Sequence, residues 1–356
     1  MKKVAIVGTQ GVPAQYGGFE TLVENIIGDH RSGDVEYTVF CSGKDYETRR
    51  ETYKGATLKY IPFLHANGAQ STPYDILSLL HCITGYDTVM VLGVSGGLFL
   101  PIFRLLFRKK LIVHIDGREH TRAKWGCFAK QYLRACEVFS VRCADIVIAD
   151  NKGIQDYVAE RYHKESALIA YGGDHVLRMV SEERQTQILQ DFQVERNAYA
   201  VSICRIEPEN NCHITLEAYA QSHQPIVFIG NWKWSKYGQE LKERYGHLPN
   251  IHIVESVYDL DVLYTLRKHA RVYVHGHSAG GTNPSLVEAM FFGCPILAYD
   301  VVYNRETTYN KAYYYKDSTD LIHLSQNLHL NGSSMRELAH QHYHWHTIVK
   351  QYEALF

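Results

Sequence analysis

Residues 166–176 read SALIAYGGDHV. An apolar run ends in Gly172-Gly173; beyond it the chain turns acidic and helical, and strand-like runs start afresh at AYAVSIC, 198–204. A β-branched run closed by paired glycines marks the end of a strand. The stretch therefore decides whether the 356 residues form one sheet or two. Before it, KVAIVG (3–8), EYTVFCS (36–42), ATLKYIP (56–62), DTVMVLG (87–93), KLIVHID (110–116) and DIVIAD (145–150) read as strands. Helical patterns over 20–27, 75–83, 98–107 and 128–142 separate them. After it, AYAVSIC, PIVFIG (225–230), NIHIVES (250–256), RVYVHG (271–276) and CPILAYD (294–300) repeat the alternation. Continuous apolar strands divided by helices imply parallel sheets covered on both faces. The fold class is α/β, with two doubly wound, Rossmann-like domains over 1–173 and 174–335 and a C-terminal helix over 336–356. Ligands bind outside the carboxyl ends of such strands, so a central cleft faced by both domains is expected.

Composition narrows the function. The chain is 46% hydrophobic, ample for a core, and a net charge of −1 supplies no global field for nucleic acid. The opening MKKVAIVGTQ has too short an apolar run for a secretion signal and reads as a first strand. The most apolar stretch, 88–103, is broken by Gly93, Ser95, Gly96, Gly97 and Pro101, short of the roughly 20 apolar residues a spanning helix needs. Eight scattered cysteines without a CxxC pair read as reduced thiols of a cytoplasmic protein.

The chemistry concentrates in HSAGGTNPSLVEAMFFGCPILAYD, 277–300. Gly280 and Gly281 make a flexible turn after a strand, Asn283 is a good N-cap and Pro284 a good first helical residue. Free N–H groups beside Gly280, Gly281 and Thr282 suit a diphosphate. Glu288 lies about one turn inside the helix, placed to reach a ribose hydroxyl.

The pattern Glu288-Ala289-Met290, then Gly293 and Pro295, resembles the donor-binding segment of retaining glycosyltransferases of the GT-B fold, family 4. The resemblance implies a nucleotide-sugar co-substrate and no metal or other cofactor. It also implies a C-terminal helix packed back on the N-terminal domain, which the stripe Trp345, Ile348, Val349, Tyr352, Leu355 suits. The family carries a second Glu eight residues before the first; Gly280 stands there, so backbone, Thr282 or Asn283 contacts replace it. The family's diphosphate clamp of Arg and Lys maps to Arg205 and Asn210, leaving Lys233 and Lys236 as substitute cations.

Together with that segment, GVPAQYGGFET (11–21), DGREHTRAKWG (116–126) and IADNKGIQDYV (148–158) are similar to bacterial rhamnosyltransferases of cell-surface polysaccharide synthesis. That implies transfer of L-rhamnose from dTDP-rhamnose to a lipid-diphosphate-linked saccharide at the cytoplasmic membrane face. In such front-face reactions the leaving diphosphate accepts the acceptor's proton, and the protein supplies positioning and charge. Asp116, Arg205 and Glu288 are then the catalytic candidates. Gly17, Gly18 and Lys236 join the donor set, and Tyr16, Glu20, Arg118 and Glu119 the acceptor set.

LFLPIFRLLFRKK (98–110) mixes large apolar residues with Arg104, Arg108, Lys109 and Lys110, suiting peripheral contact with an anionic membrane face. HQHYHWH (340–346) lies in a helical context that scatters its histidines around the axis, which argues against a metal site. A dinucleotide oxidoreductase requires GxGxxG after the first strand and an acid ending the second. The chain has Gly8-Thr9-Gln10-Gly11-Val12-Pro13 and Phe40-Cys41-Ser42 instead. Beside the transferase stand an epimerase of the same fold, which needs no acceptor, and a non-catalytic nucleotide-sugar-binding protein.

Overall fold

The computed structural model describes residues 1–15, 17–28, 31–115, 117–122, 125–327 and 329–356. They fall into two compact units, Met1–Tyr171 with Trp345–Phe356, and Gly172–His344.

The first unit holds β1 (Lys2–Val7), β2 (Val35–Ser42), β3 (Thr52–Tyr53), β4 (Ala56–Ile61), β5 (Thr88–Leu92), β6 (Lys110–Ile115), β7 (Ile146–Ala149) and β8 (Ala167–Leu168). Their order is β3-β4-β2-β1-β5-β6-β7-β8. Only the β3–β4 hairpin is antiparallel; its turn, Lys54-Gly55, takes φ of 46° and 75°, the left-handed pair that tight hairpins need. Central strands are buried on both faces, as their unbroken apolar runs require. The chain runs outward one way from β1 to β2 and the other way from β5 to β6, so the switch point lies between β1 and β5.

Right-handed crossovers put helices Ser71–His81, Leu100–Leu106 and Cys127–Cys143 on one face of this sheet and Gly18–Ile26 on the other. Trp345–Ala354 shares the second face. Trp345, Ile348, Val349 and Tyr352 are each at most 2% exposed among Leu22, Ile26 and Tyr37. Such burial stabilises by about 1.5–3 kcal/mol per side chain. Polar pins finish the job: Glu353 accepts from Ser32 N at 2.9 Å and from Tyr37 OH at 3.2 Å. The single helix expected over 336–356 is in fact two, Ser333–His342 and Trp345–Ala354, and the unit boundary falls between them. Tyr343 ends the first by turning inward, where its hydroxyl donates to Thr307 O at 2.8 Å.

The second unit holds β9 (Ala200–Ile203), β10 (Ile226–Ile229), β11 (Ile251–Val254), β12 (Val272–His275), β13 (Ile296–Tyr299) and β14 (Tyr313–Tyr315). All pair in parallel in the order β11-β10-β9-β12-β13-β14, which puts the switch point between β9 and β12.

Candidate functional site

At the second switch point the loops after β9 and β12 are laced together. Asn211 Nδ2 donates to Gly276 O at 2.8 Å, and Ser278 N and Oγ both donate to Glu209 O, at 2.9 and 2.8 Å. Asn210, 3% exposed, donates through Nδ2 to Arg205 O at 2.7 Å, while its Oδ1 lies 2.7 Å from His277 Nδ1. The residue at the family's lysine position is thus a buried latch that shapes the Arg205 loop. The lacing continues outward: Asn231 Oδ1, after β10, accepts from Ile206 N at 2.7 Å, and Asn304 Nδ2 donates to His277 O at 2.8 Å. Gly276 is obligatory here, because a Cβ on it would meet Asn210 O at 2.1 Å. Gly276→Ala is expected to pull the two loops apart and lower the thermal midpoint of the second unit by several degrees, equivalent to about 1–3 kcal/mol. An unchanged midpoint in a differential scan would show that the loops yield freely.

Arg205 projects from this laced frame, half-exposed, with Glu207 3.9 Å away. Gly280 takes φ 109°, Gly281 and Thr282 are buried, and Asn283 Oδ1 accepts from Ser285 N at 3.0 Å to cap Pro284–Met290. Lys236 is not brought to this group by any contact among the described residues. Its side chain is 90% exposed and pairs with Glu240 one turn on, at 3.4 Å.

Glu288 has partners that its sequence position did not announce. One carboxylate oxygen bonds the guanidinium of Arg267, 4% exposed on helix Leu260–Lys268, and the other lies 3.5 Å from His175 Nε2. Burial works to raise the Glu288 pKa, but Arg267 and then His175 outweigh it and hold the carboxyl below its ordinary range. The group is an ionised acceptor, not a proton donor.

In the first unit, the loop after β1 is braced by two glutamates one turn apart on Gly18–Ile26. Glu20, 6% exposed, accepts from Thr9 Oγ1 and Gln10 N, both at 2.8 Å; Glu24 accepts from Ala14 N at 2.7 Å and Tyr53 OH at 2.6 Å. Glu20, placed in the acceptor set, holds the loop through these bonds. Gly17 caps the helix at φ 114°, and a Cβ there would strike the Glu20 carboxylate at 2.3 Å; Gly18 opens the helix.

The loop after β6 is mounted on Glu137, fully buried, which accepts from His120 Nδ1 at 2.9 Å and from the Tyr157 and Tyr162 hydroxyls at 2.5 Å. Arg118 is exposed, its guanidinium 4.8 Å above the Tyr157 ring. Glu119 accepts from Trp125 Nε1 at 2.9 Å and pairs with Arg122 at 2.8 Å. Asp116 and Tyr16 lie outside the described residues. Of the tail histidines, His344 pairs with Asp174 at 3.2 Å and lies 3.0 Å from His340; among the described residues no group of three ligand-type side chains is arranged to hold a metal.

Residues 184–328 match the family "Glycosyl transferases group 1", and residues 1–174 match a "Domain of unknown function (DUF1972)". No curated protein matches the chain. Among solved structures, sucrose-phosphate synthase from Thermosynechococcus elongatus is 16% identical with a TM-score of 0.81, covering 100% of this chain and 98% of that one. HepE from Anabaena, in complex with UDP and glucose, is 16% identical with a TM-score of 0.77, covering 99% and 98%. A glycosyltransferase from Rickettsia africae is 12% identical with a TM-score of 0.73, covering 99% and 97%. The chain has the GT-B fold, two Rossmann-like α/β domains, and the match to the group 1 glycosyl transferase model falls within its second unit.

Proposed function

We propose that the protein transfers a sugar from a nucleotide-sugar donor, with the donor diphosphate held in the second unit. The observation that carries this reading is the laced pair of loops at the β9/β12 switch point, where Arg205 projects from a rigid frame. That crevice is where doubly wound sheets take nucleotides. The complexes of HepE with UDP and glucose support the donor class by analogy of fold.

In this reading Arg205 neutralises the diphosphate, Gly280 to Asn283 contact the donor through backbone and short side chains, and Glu288 takes a ribose hydroxyl. Asp116 is assigned to the developing charge at the sugar, and Arg118 and Glu119 to the acceptor. The resemblance of the N-terminal motifs supports L-rhamnose from dTDP-rhamnose as the donor, a lipid-diphosphate-linked saccharide as acceptor and work at the cytoplasmic face, with retention at the anomeric carbon. A non-catalytic binding protein is the second reading, favoured by one observation: Asn210 is committed as a latch and supplies no charge.

Calorimetric titration with dTDP-, UDP- and GDP-sugars tests the assignment. One class should bind, and Arg205→Ala should weaken it at least tenfold, since a hydrogen bond to a charged group contributes about 1.5–3 kcal/mol. Equal affinity in the variant would remove Arg205 from the site. Turnover with an acceptor extract would separate the transferase from the binding protein.

A further inference from the structure

We infer that Cys204 and Cys212 form a thiol–disulfide exchange pair that locks the loop carrying Arg205, with a low-molecular-weight disulfide as the oxidant. In the sequence the eight cysteines look scattered; the fold brings these two together. Cys204 follows β9, Cys212 opens helix Cys212–Ser222, and their sulfurs lie 3.9 Å apart. Cys212 is fully buried in the core of the second unit, and Cys204 is half-buried against it. A disulfide brings its sulfurs to about 2.05 Å, so bridging takes side-chain rotation and a small backbone shift. The two ends of the loop differ in how freely they can make that shift. Cys204 N donates to Ile229 O at 3.2 Å, and a Cβ on Gly230 would meet the Cys204 carbonyl at 2.5 Å, so the strand end is held. Closing the sulfurs therefore draws the start of helix Cys212–Ser222 toward it. Asn210, which holds Arg205 O, and Asn211, which holds Gly276 O, lie between the cysteines and must follow. Arg205 projects from the loop so displaced.

Accessibility sets the order of the chemistry. Cys204, the less buried, attacks a sulfur of the small disulfide as its thiolate, its proton having passed to water. That S–S bond breaks, one small thiolate leaves, and a mixed disulfide stays on Cys204. Burial and then the neighbouring Cys204 push the Cys212 thiol up, which makes Cys212 the second reactant. Its sulfur attacks the Cys204 sulfur and its proton goes to the second small thiolate as that leaves. The protein pair has lost two electrons and two protons, and the small disulfide has become two thiols. A bridge that displaces a laced loop as it forms is readily reduced again, as a reversible lock requires.

The test treats the full chain carrying Cys127→Ser, which removes its exposed thiol, with oxidised glutathione and maps the peptides by mass. A peptide linking 204 to 212 should form, about 2 Da lighter than its reduced parts, and excess reduced glutathione should reverse it. Cys212→Ser should stop the reaction at a glutathione adduct on Cys204, and Cys143→Ser should leave the linkage intact. Hydrogen exchange across 205–211 should slow in the linked form. The consequence for the donor rests on the reading of Arg205 as the diphosphate cation. In that reading the linked form binds the nucleotide-sugar about tenfold or more weakly, and reduction restores it. Absence of the linked peptide, a glutathione adduct that persists on Cys204 with Cys212 present, or unchanged exchange across 205–211 overturns the proposal. So does equal donor affinity of the two forms in a chain whose Arg205→Ala variant binds weakly. A reduced chain that binds none of the nucleotide-sugars counts against the donor reading alone, and the mass and exchange results then decide the lock.

Discussion

Glu288→Ala is expected to destabilise the second unit by about 3–5 kcal/mol, the range for breaking a buried ion pair by removing one partner. The reason lies with what stays behind. Arg267 is 4% exposed, and its Nε already lacks a hydrogen-bond partner, so removing the carboxylate leaves a charged guanidinium in the interior with its main counter-ion gone. A double cycle separates this from simple loss of packing. Arg267→Met should be nearly as costly as Glu288→Ala. The combination of Arg267→Met with Glu288→Leu should recover much of the loss, because an apolar pair of similar volume has no charge to desolvate. The effect also has a defined pH sense. The Glu288 carboxyl is held below its ordinary value of 4.5, so its contribution is present above that value and fades as pH falls through the depressed one. Urea unfolding of the second unit reads all of these. A loss under about 1 kcal/mol for Glu288→Ala would mean that water screens the pair as at a surface.

Sequence made the architecture legible because runs such as IVFI and IVIA are apolar throughout, a pattern that follows from burial on both faces. The segments it lost are those too short for a period: Thr52–Tyr53, whose Lys54-Gly55 turn was the available signal, and Tyr313–Tyr315. The break between Ser333–His342 and Trp345–Ala354 carries no glycine or proline, since it comes from Tyr343 seeking Thr307 in three dimensions. The site divides the same way. The Gly280-Gly281 turn and the Asn283 cap were readable because strand ends and caps have local grammar, whereas Arg205 was singled out by the family resemblance. The Arg267 partner of Glu288 was not readable, since its contact spans 21 residues with no spacing rule. Asn210 read as a missing charge, yet the position is filled by a buried amide whose two ends bind different loops. Glu20 was placed in the acceptor set; its bonds to Thr9 Oγ1 and Gln10 N, across ten and eleven residues, follow no spacing rule.

Asp75→Asn should stabilise the first unit above neutral pH, by about 2 kcal/mol at pH 8, and should lose that advantage towards pH 4. Asp75 sits on Ser71–His81, 2% exposed, and grips the loop after β5 by accepting bonds from Ser95 Oγ and Gly96 N. Burial pushes its carboxyl up to about 7 from an ordinary 3.8, and the two bonds offset only part of that push. A raised folded-state value means that the group favours the folded chain fully below 3.8 and progressively less as pH rises through 7. Three units correspond to about 4 kcal/mol of cost once the group is ionised, and asparagine avoids it while forgoing a charge-assisted bond from Ser95. The grip is placed where it matters, because the loop after β5 borders the switch point of the first sheet, beside the loop that Glu20 and Glu24 brace. Unfolding midpoints across pH 4 to 8 decide the matter. A difference between wild type and Asp75→Asn that stays constant with pH would mean that the carboxyl titrates at its ordinary value despite its burial.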